Sequence, residues 1–373
     1  MKITVGGAAL NQTPLDWEGN KQNIIYAIEY ARMNDVQLLC LPELAITGYG
    51  CEDVFLSDWI YEKAFQKLIE LTAFCYDITV AIGLPVKFEG CNYNCACLVQ
   101  NGEILGFYAK HFLANDGIHY ESRWFDPWKW ISVSNFKLPN GKIVPFGDTV
   151  FGVAFSGLSR KVKISFEICE DSWRKEERPG YHHKQLGIDI ILNPSASHYA
   201  FGKTKIRHDE LVMFGSKEFD CTYVFANLLG NEAGKVIYDG EILIAQSGKL
   251  LCRNQLFSYQ SINVQIAEVD IALPSNSKSK TKISPFLSKN EEFAAAVPLA
   301  LFDYMRKSRS QGFMLSLSGG ADSSCCAVLI AEMVKKGIEE LGEEYFLKKI
   351  GQEKIQNPES KIQNLLTDRK SVV

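Results

Sequence analysis

Over its first 270 residues the chain alternates short apolar runs with longer amphipathic ones, and that alternation leaves few folds open to it. Residues 3–9, 36–41, 79–84, 151–155, 162–168, 188–193 and 222–227 have the length and the β-branched or aromatic content of strands. Residues 21–33 carry Ile24, Ile25, Ala27, Ile28 and Ala31 on one side of a helix, residues 56–75 read as a second amphipathic helix, and about 206–219 as a third. The pair Asn101-Gly102, in which both residues tolerate positive φ, separates residues 95–100 from 106–109 and predicts a tight hairpin. Ser247-Gly248 predicts another turn between 236–245 and 250–256. Helical crossovers give parallel strand pairs and hairpins give antiparallel ones. The expected fold class is therefore α/β, a sandwich with mixed sheets.

The pattern stops near Asp270. From Leu273-Pro274 to Lys282 the chain is polar, rich in Ser and Lys and without a period, which predicts an exposed linker over residues 271–290. Beyond it, 291–306 reads as a helix, 313–317 as a short strand and 325–336 as a helix, so a second unit is expected from residue 291 to 367. A composition 46% hydrophobic and 23% charged is that of a globular protein, and a net charge of −4 gives no electrostatic footprint for nucleic acid or anionic membrane. No apolar run approaches the roughly 18–20 residues of a membrane span. The N-terminal MKITVGGAAL lacks the apolar core of a signal peptide, so the eleven cysteines are expected as reduced thiols in a cytoplasmic protein.

Three segments bear chemistry. Glu43 follows an apolar run and Pro42, at a strand's C-terminal end where α/β active sites gather; taken alone it reads equally as an exposed loop carboxylate. Lys110 ends the run Gly106-Phe107-Tyr108-Ala109, and a lone lysine there is ordinarily surface decoration. Cys169 stands where the alternating Val162, Ile164, Phe166 and Ile168 give way to a polar turn, and its neighbours Glu167, Glu170 and Asp171 are unusual company for a core cysteine. Together the three make chemical sense. A thiol with an ordinary pKa of about 8.5 needs a base or cation beside it to attack. A glutamate can take its proton and later deliver it to a leaving amine, and a lysine can stabilise the tetrahedral oxyanion.

Rival chemistries find little support. The six histidines form no H-E-x-x-H, and His182-His183 reads as a solvated pair in a charged loop. Cys95 and Cys97 alternate along a strand and read as core, with Cys91 lacking a partner pair at zinc spacing. No G-x-S-x-G elbow occurs. Further on, Leu317-Ser318-Gly319-Gly320-Ala321-Asp322-Ser323-Ser324 follows an apolar run and opens a helix, a place where backbone amides can cradle an anion. The plain alternative is a glycine turn with Asp322 or Ser323 as helix N-cap.

In order and context the first three segments resemble the Glu–Lys–Cys triad of the nitrilase (carbon–nitrogen hydrolase) superfamily, over roughly residues 1–270. The segments around Tyr120-Glu121, Asn193-Pro194-Ser195 and Tyr238-Asp239-Gly240 fit as well, and the whole looks most like the glutaminase domains of glutamine-dependent NAD synthetases. The loop at 317–324 is similar to the S-G-G-x-D-S motif of ATP pyrophosphatases. The resemblance implies a nitrilase-type α-β-β-α sandwich, followed by the first strand, loop and helix of a Rossmann-like ATP-pyrophosphatase domain. It implies Cys169 as nucleophile, Glu43 as general base, Lys110 as charge stabiliser and Glu121 as the carboxylate that orients the lysine. Ser197 and Lys203 fall at positions that contact glutamine, and Asp116 stands where relatives have a tyrosine contact. Residues 317–324 would bind ATP, with Mg²⁺, to adenylylate nicotinic acid adenine dinucleotide before ammonia converts it to NAD, in a homo-oligomer.

The resemblance persists over residues 361–367, whereas Asp368-Arg369-Lys370-Ser371-Val372-Val373 departs from it and can be back-translated as read-through of a sequencing adapter. The expectation is a gene model cut short, with the synthetase half inactive in this chain. Two other readings stand beside this one: a freestanding small-amide amidase, and a non-enzymatic ATP-binding module on an inactive hydrolase fold.

Overall fold

The computed structural model describes residues 1–129 and 131–351. The strands are β1 (Lys2–Leu10), β2 (Leu38–Cys40), β3 (Thr79–Phe88), β4 (Cys91–Gln100), β5 (Glu103–Ala109), β6 (Val133–Lys137), β7 (Ile143–Gly147), β8 (Phe151–Val153), β9 (Val162–Phe166), β10 (Ile190–Ser195), β11 (Thr222–Asn227), β12 (Leu229–Asn231), β13 (Ile237–Asp239), β14 (Ile242–Gln246), β15 (Lys249–Arg253), β16 (Ile262–Asp270) and the two-residue β17 (Lys278–Ser279). The helices are α1 (Trp17–Met33), α2 (Asp58–Thr72), α3 (Pro179–Gln185), α4 (Lys203–Ile206), α5 (Phe214–Glu218), α6 (Lys289–Ser308), α7 (Ala321–Leu341) and α8 (Glu343–Lys349).

One sheet runs β17-β16-β1-β2-β3-β4-β5-β7-β6 and the other β15-β14-β11-β10-β9-β8, each mixing parallel and antiparallel pairs. The two inner faces meet through Val5, Leu38, Leu98 and Tyr108 on one side and Phe166, Ile190, Leu192, Val224 and Ile244 on the other. Ile24, Ile28, Leu68 and Leu71 of α1 and α2 cover the outer face of the first sheet. Leu211, Val212 and Phe219 cover that of the second, which completes the α-β-β-α sandwich. The hairpin at Asn101-Gly102 has φ of 49° and 80°, and that at Ser247-Gly248 has 46° and 79°, the positive values that predicted both turns.

Several elements differ from the sequence reading. The run 236–245 is two strands in two sheets, parted at Gly240 (φ +69°) so that Glu241 turns inward onto Arg207 and Arg253. The helix expected at 206–219 extends from Lys203 to Glu218 and passes through a π-helical segment, Arg207–Met213. Residues 313–317 form no strand: no neighbour among the described residues takes up their ladder bonds, and an unpaired strand has little stability in water. The helix and loop after it are present, with α7 beginning at Ala321. His182-His183 lies on α3 rather than in a loop, and His183 is buried with its Nε2 2.8 Å from Asp148 Oδ1. Its ring is an internal hydrogen-bond partner for that carboxylate, not a solvated one. Residues 361–367 and the tail 368–373 lie outside the described residues.

The polar stretch after Asp270 is largely exposed, yet Lys278–Ser279 pairs with β16, and Arg253 Nη1 donates to Ser284 O at 3.1 Å. Past it, α6 packs onto the sandwich. Ser288 caps it, accepting from the Glu291 amide while Glu291 accepts in return from the Ser288 amide. Ala296, Leu299, Phe302 and Met305 join Ala9, Leu229, Ile242, Leu256, Phe257 and Tyr259 in one apolar cluster. On the same helix the buried Asp303 accepts from Asn11 Nδ2 (3.0 Å) and the Asn231 amide (2.8 Å). Among the described residues no helix is long and apolar enough to cross a membrane.

Candidate active site

Glu43, Lys110 and Cys169 converge where β2, β5 and β9 end, at one rim of the sandwich. Pro42 and Glu43 leave β2 against Gly83 of β3. A Cβ at Gly83 would stand 2.4 Å from Pro42 O and 2.5 Å from Leu44 N, so only glycine lets the glutamate's backbone lie there. Gly83→Ala is therefore expected to cost about 1–3 kcal/mol, the usual penalty of overpacking, and to lower turnover by displacing Glu43. Thermal melting and an ammonia-release assay check both, and an unchanged melt would contradict this packing.

Glu43 is fully enclosed. Its Oε1 accepts from Lys110 Nζ at 2.6 Å and Asn94 Nδ2 at 2.8 Å, and its Oε2 from the Ala196 amide at 2.9 Å. Burial pushes its pKa up to about 7, with Lys110 opposing the rise. That value suits a group that must both take and return a proton near neutral pH. Lys110 Nζ also donates to both oxygens of Glu121, at 2.9 and 2.8 Å. Burial disfavours the ammonium, but the carboxylates of Glu121 and Glu43 outweigh it and hold the pKa well above the usual lysine value. Glu121 in turn accepts from the Tyr49 hydroxyl (2.6 Å) and the Ala114 amide (2.9 Å). Two carboxylates thus enclose one cation inside the protein, and the cation stays charged because of them.

Cys169 sits at φ +45°, the first residue of a 3₁₀ turn Cys169–Trp173, and is 8% exposed. Burial raises its thiol pKa, as does the charge of Glu43, while Lys110 pulls it down. Burial thus favours the neutral thiol, within the field of both Glu43 and Lys110. The acidic neighbours that looked unusual in sequence have separate tasks. Asp171 accepts from the His111, Phe112 and Ile168 amides at 3.1, 2.8 and 2.9 Å, tying the cysteine turn to the segment after Lys110. Glu167 pairs with Arg178 (2.7 Å) and Tyr223 (2.5 Å) behind the strand, and Glu170 pairs with Arg174 at 2.9 Å.

Of the residues expected to contact glutamine, Ser197 is held by Asn227 on both sides of its peptide, at 2.8 Å each, and its Oγ lies 3.4 Å from Arg207 Nη1. Lys203, at the start of α4, points its Nζ over the Trp173 ring at 5.3 Å and toward His198 Nδ1 at 3.3 Å. Burial lowers its pKa to about 8, followed by repulsion from Arg207, while Cys169 raises it. Asp116 is exposed, in the loop before His119. The segment Leu317 to Ser324 stands apart from this cluster and is mostly exposed. There Gly319 has φ +83°, Gly320 caps α7, and the hydroxyls of Ser323 and Ser324 donate to Gly320 O at 3.2 and 2.9 Å. The Gly320 amide in turn faces the Ser318 hydroxyl at 3.4 Å, so the loop folds back on its own polar groups.

Asn94, Tyr49 and Asp171 are the site residues that sequence reading did not assign. Asn94 carried a faint signal, an amide opening the otherwise apolar run Cys95-Ala96-Cys97-Leu98-Val99.

A carbon–nitrogen hydrolase family profile matches residues 4–275. The human glutamine-dependent NAD(+) synthetase is 32% identical over 395 residues, which cover 91% of this chain and 54% of that protein. The crystal structure of a glutamine-dependent NAD(+) synthetase from Cytophaga hutchinsonii is 49% identical, with a TM-score of 0.85 over 98% of this chain and 58% of that one. The Acinetobacter baumannii glutamine-dependent NAD+ synthetase, solved with ADP, is 25% identical, with a TM-score of 0.74 over 90% of this chain and 58% of that one. The chain spans about half the length of the curated relatives it matches. With its triad at the rim of an α-β-β-α sandwich and the profile covering most of its length, the chain belongs to the carbon–nitrogen hydrolase family.

Proposed function

We propose that this chain hydrolyses the side-chain amide of glutamine and that the ammonia serves NAD synthesis. The observation that carries the reading is the buried Glu43–Lys110–Glu121 cluster beside Cys169. Glu43 takes the thiol proton as Cys169 Sγ attacks the amide carbon, and Lys110, with a backbone amide at the strand end, stabilises the oxyanion. The C–N bond breaks as Glu43 hands its proton to the departing nitrogen, and ammonia leaves a γ-glutamyl thioester on Cys169. Water, deprotonated by Glu43, attacks the thioester; glutamate departs and the thiol is restored. Glu121 keeps Lys110 oriented, while Ser197 and Lys203 bind the amino-acid end of glutamine.

The hydrolase domain is assigned to residues 1–270, the linker to 271–290 and synthetase-domain sequence to 291–367. Leu317 to Ser324 would hold the phosphates of ATP, which with Mg²⁺ supplies the activation of nicotinic acid adenine dinucleotide. The likeness to NAD synthetases supports this assignment, and a cytoplasmic homo-oligomer is part of the same proposal.

Ammonia release from glutamine, set beside butanamide and other small amides, tests the reading. A kcat/KM favouring glutamine by about 100-fold or more is expected, since a buried site built to pair substrate polar groups strongly rejects analogues that lack them. Equal or better turnover of simple amides would make the chain a general amidase instead.

A further inference from the structure

From Lys203 a line of hydrogen bonds leads back to the catalytic lysine. Lys203 Nζ lies 3.3 Å from His198 Nδ1, and the same Nδ1 lies 2.8 Å from His119 Nε2. His119 Nδ1 lies 3.3 Å from the Tyr49 hydroxyl, which donates to Glu121 Oε1 at 2.6 Å, and Glu121 holds Lys110. Both imidazoles are half-buried. Counting protons along this line yields two arrangements. With the Lys203 ammonium on His198, that Nδ1 must accept, and His119 must donate to it from Nε2. His119 Nδ1 is then a bare lone pair facing the Tyr49 oxygen, whose one proton is committed to Glu121. If Lys203 leaves, both rings can carry their proton on Nδ1. Donation then runs in one direction, from His198 to His119 to Tyr49 to Glu121, with every contact satisfied.

We propose that His119 and His198 are positioning residues that register whether Lys203 is engaged by a substrate carboxylate and transmit this to Glu121 and Lys110 through their tautomers. The inference rests on the glutaminase reading above. A carboxylate that draws Lys203 away lets the His119 Nε2 proton cross to His198 Nδ1. The His198 Nε2 proton passes to solvent, and His119 Nδ1 takes one up, so the pair stays neutral. A Tyr49 oxygen that now accepts is a stronger donor to Glu121, because aligned hydrogen bonds polarise one another. Glu121 then holds Lys110 less tightly, and the ammonium turns more readily to the oxyanion. Burial, followed by the charge of Lys203, lowers the His198 pKa to about 4, and burial lowers that of His119, in keeping with neutral rings. The charged groups facing them are Lys203, Arg207 and Asp239 for His198, and Glu121, Lys203, Lys110 and Asp116 for His119.

The test compares glutamine with butanamide, which has no carboxylate. His119→Phe is expected to lower kcat for glutamine about tenfold, the worth of one hydrogen bond to a charged group, with KM within about twofold. The ratio of glutamine kcat to butanamide kcat should fall by the same factor, whereas a structural defect would lower both rates together and leave the ratio unchanged, overturning the proposal. A second measurement needs no turnover. With ¹⁵N-histidine in the full Cys169→Ala chain, saturating glutamine should move the protonated nitrogen of both rings from Nε2 to Nδ1, and unmoved tautomers overturn the proposal as well. A wild-type chain that releases no ammonia from glutamine would instead remove the glutaminase reading, and the relay with it.

Discussion

Cys169→Ala is expected to abolish ammonia release from glutamine, a fall on the order of 10⁴ to 10⁶ in kcat, the range seen when a covalent nucleophile is lost. The thiol has no understudy. Cys95, in the cluster under α1 and α2, has its pKa raised by burial alone, whereas Cys169 lies within reach of the charges of Glu43 and Lys110. Alanine occupies φ +45° with the same strain as cysteine, and the side chain removed is small. The fold should therefore persist, with a stability change of about 1 kcal/mol. Steady-state ammonia assays and thermal melts of the same preparation separate the two effects. Full activity in the variant would dispose of the nucleophile assignment, and an unfolded variant would show that the sulfur also carries packing.

Lys110→Met should be the most damaging change to stability in the cluster. The ammonium has four carboxylate oxygens around it, of which three accept from it, and the cluster is closed to solvent. Its removal leaves Glu43 and Glu121 buried, close and alike in charge, and losing one partner of a buried pair costs about 3–5 kcal/mol. The sign of the pH dependence follows. Without the cation Glu43, which burial already raises to about 7 against the pull of Lys110, keeps a folded-state pKa above the unfolded value of about 4.3. The folded state then binds more protons than the unfolded state in the interval between, so stability falls as pH rises through it. Urea midpoints should show a smaller deficit at acid pH, near 5, than at pH 8. A deficit that grows on acidification would mean that the carboxylates are already neutral in the wild type. Catalysis should fall with stability, by about 10²–10³, as when an oxyanion donor is removed.

Much of the sandwich was legible because its signals are local. Alternation in residues 162–168, the helical period of residues 21–33 and the Asn101-Gly102 turn each specify an element without reference to the rest of the chain. β6, β7 and β16 were not read. β6 and β7 sit at a sheet edge with half-exposed patterns that resemble loops, and β16 follows a turn-rich stretch. Periodicity also misled over residues 236–245, where a buried ion network at Glu241 bends the chain between two sheets. Glu43, Lys110 and Cys169 were singled out by residue types at strand ends taken with the family resemblance, but the groups that hold them in place could not be. Nothing in the order of residues tells that Tyr49 reaches Glu121, that Asn94 reaches Glu43, or that Asp171 collects amides from a segment sixty positions earlier. Those links exist only after the sheets have closed.

The anchoring of α6 bears on how the two halves of such a protein can be exchanged. Asp303 belongs by sequence to the part beyond the linker, yet its carboxylate meets Asn11 and Asn231 of the hydrolase, and a Cβ at Gly230 would lie 1.9 Å from its Oδ2. The boundary expected from sequence at residues 271–290 is therefore not a boundary of packing. Recombination at the linker would part Asp303 from its donors, and an incoming half from another lineage would need a carboxylate at that turn of its own first helix.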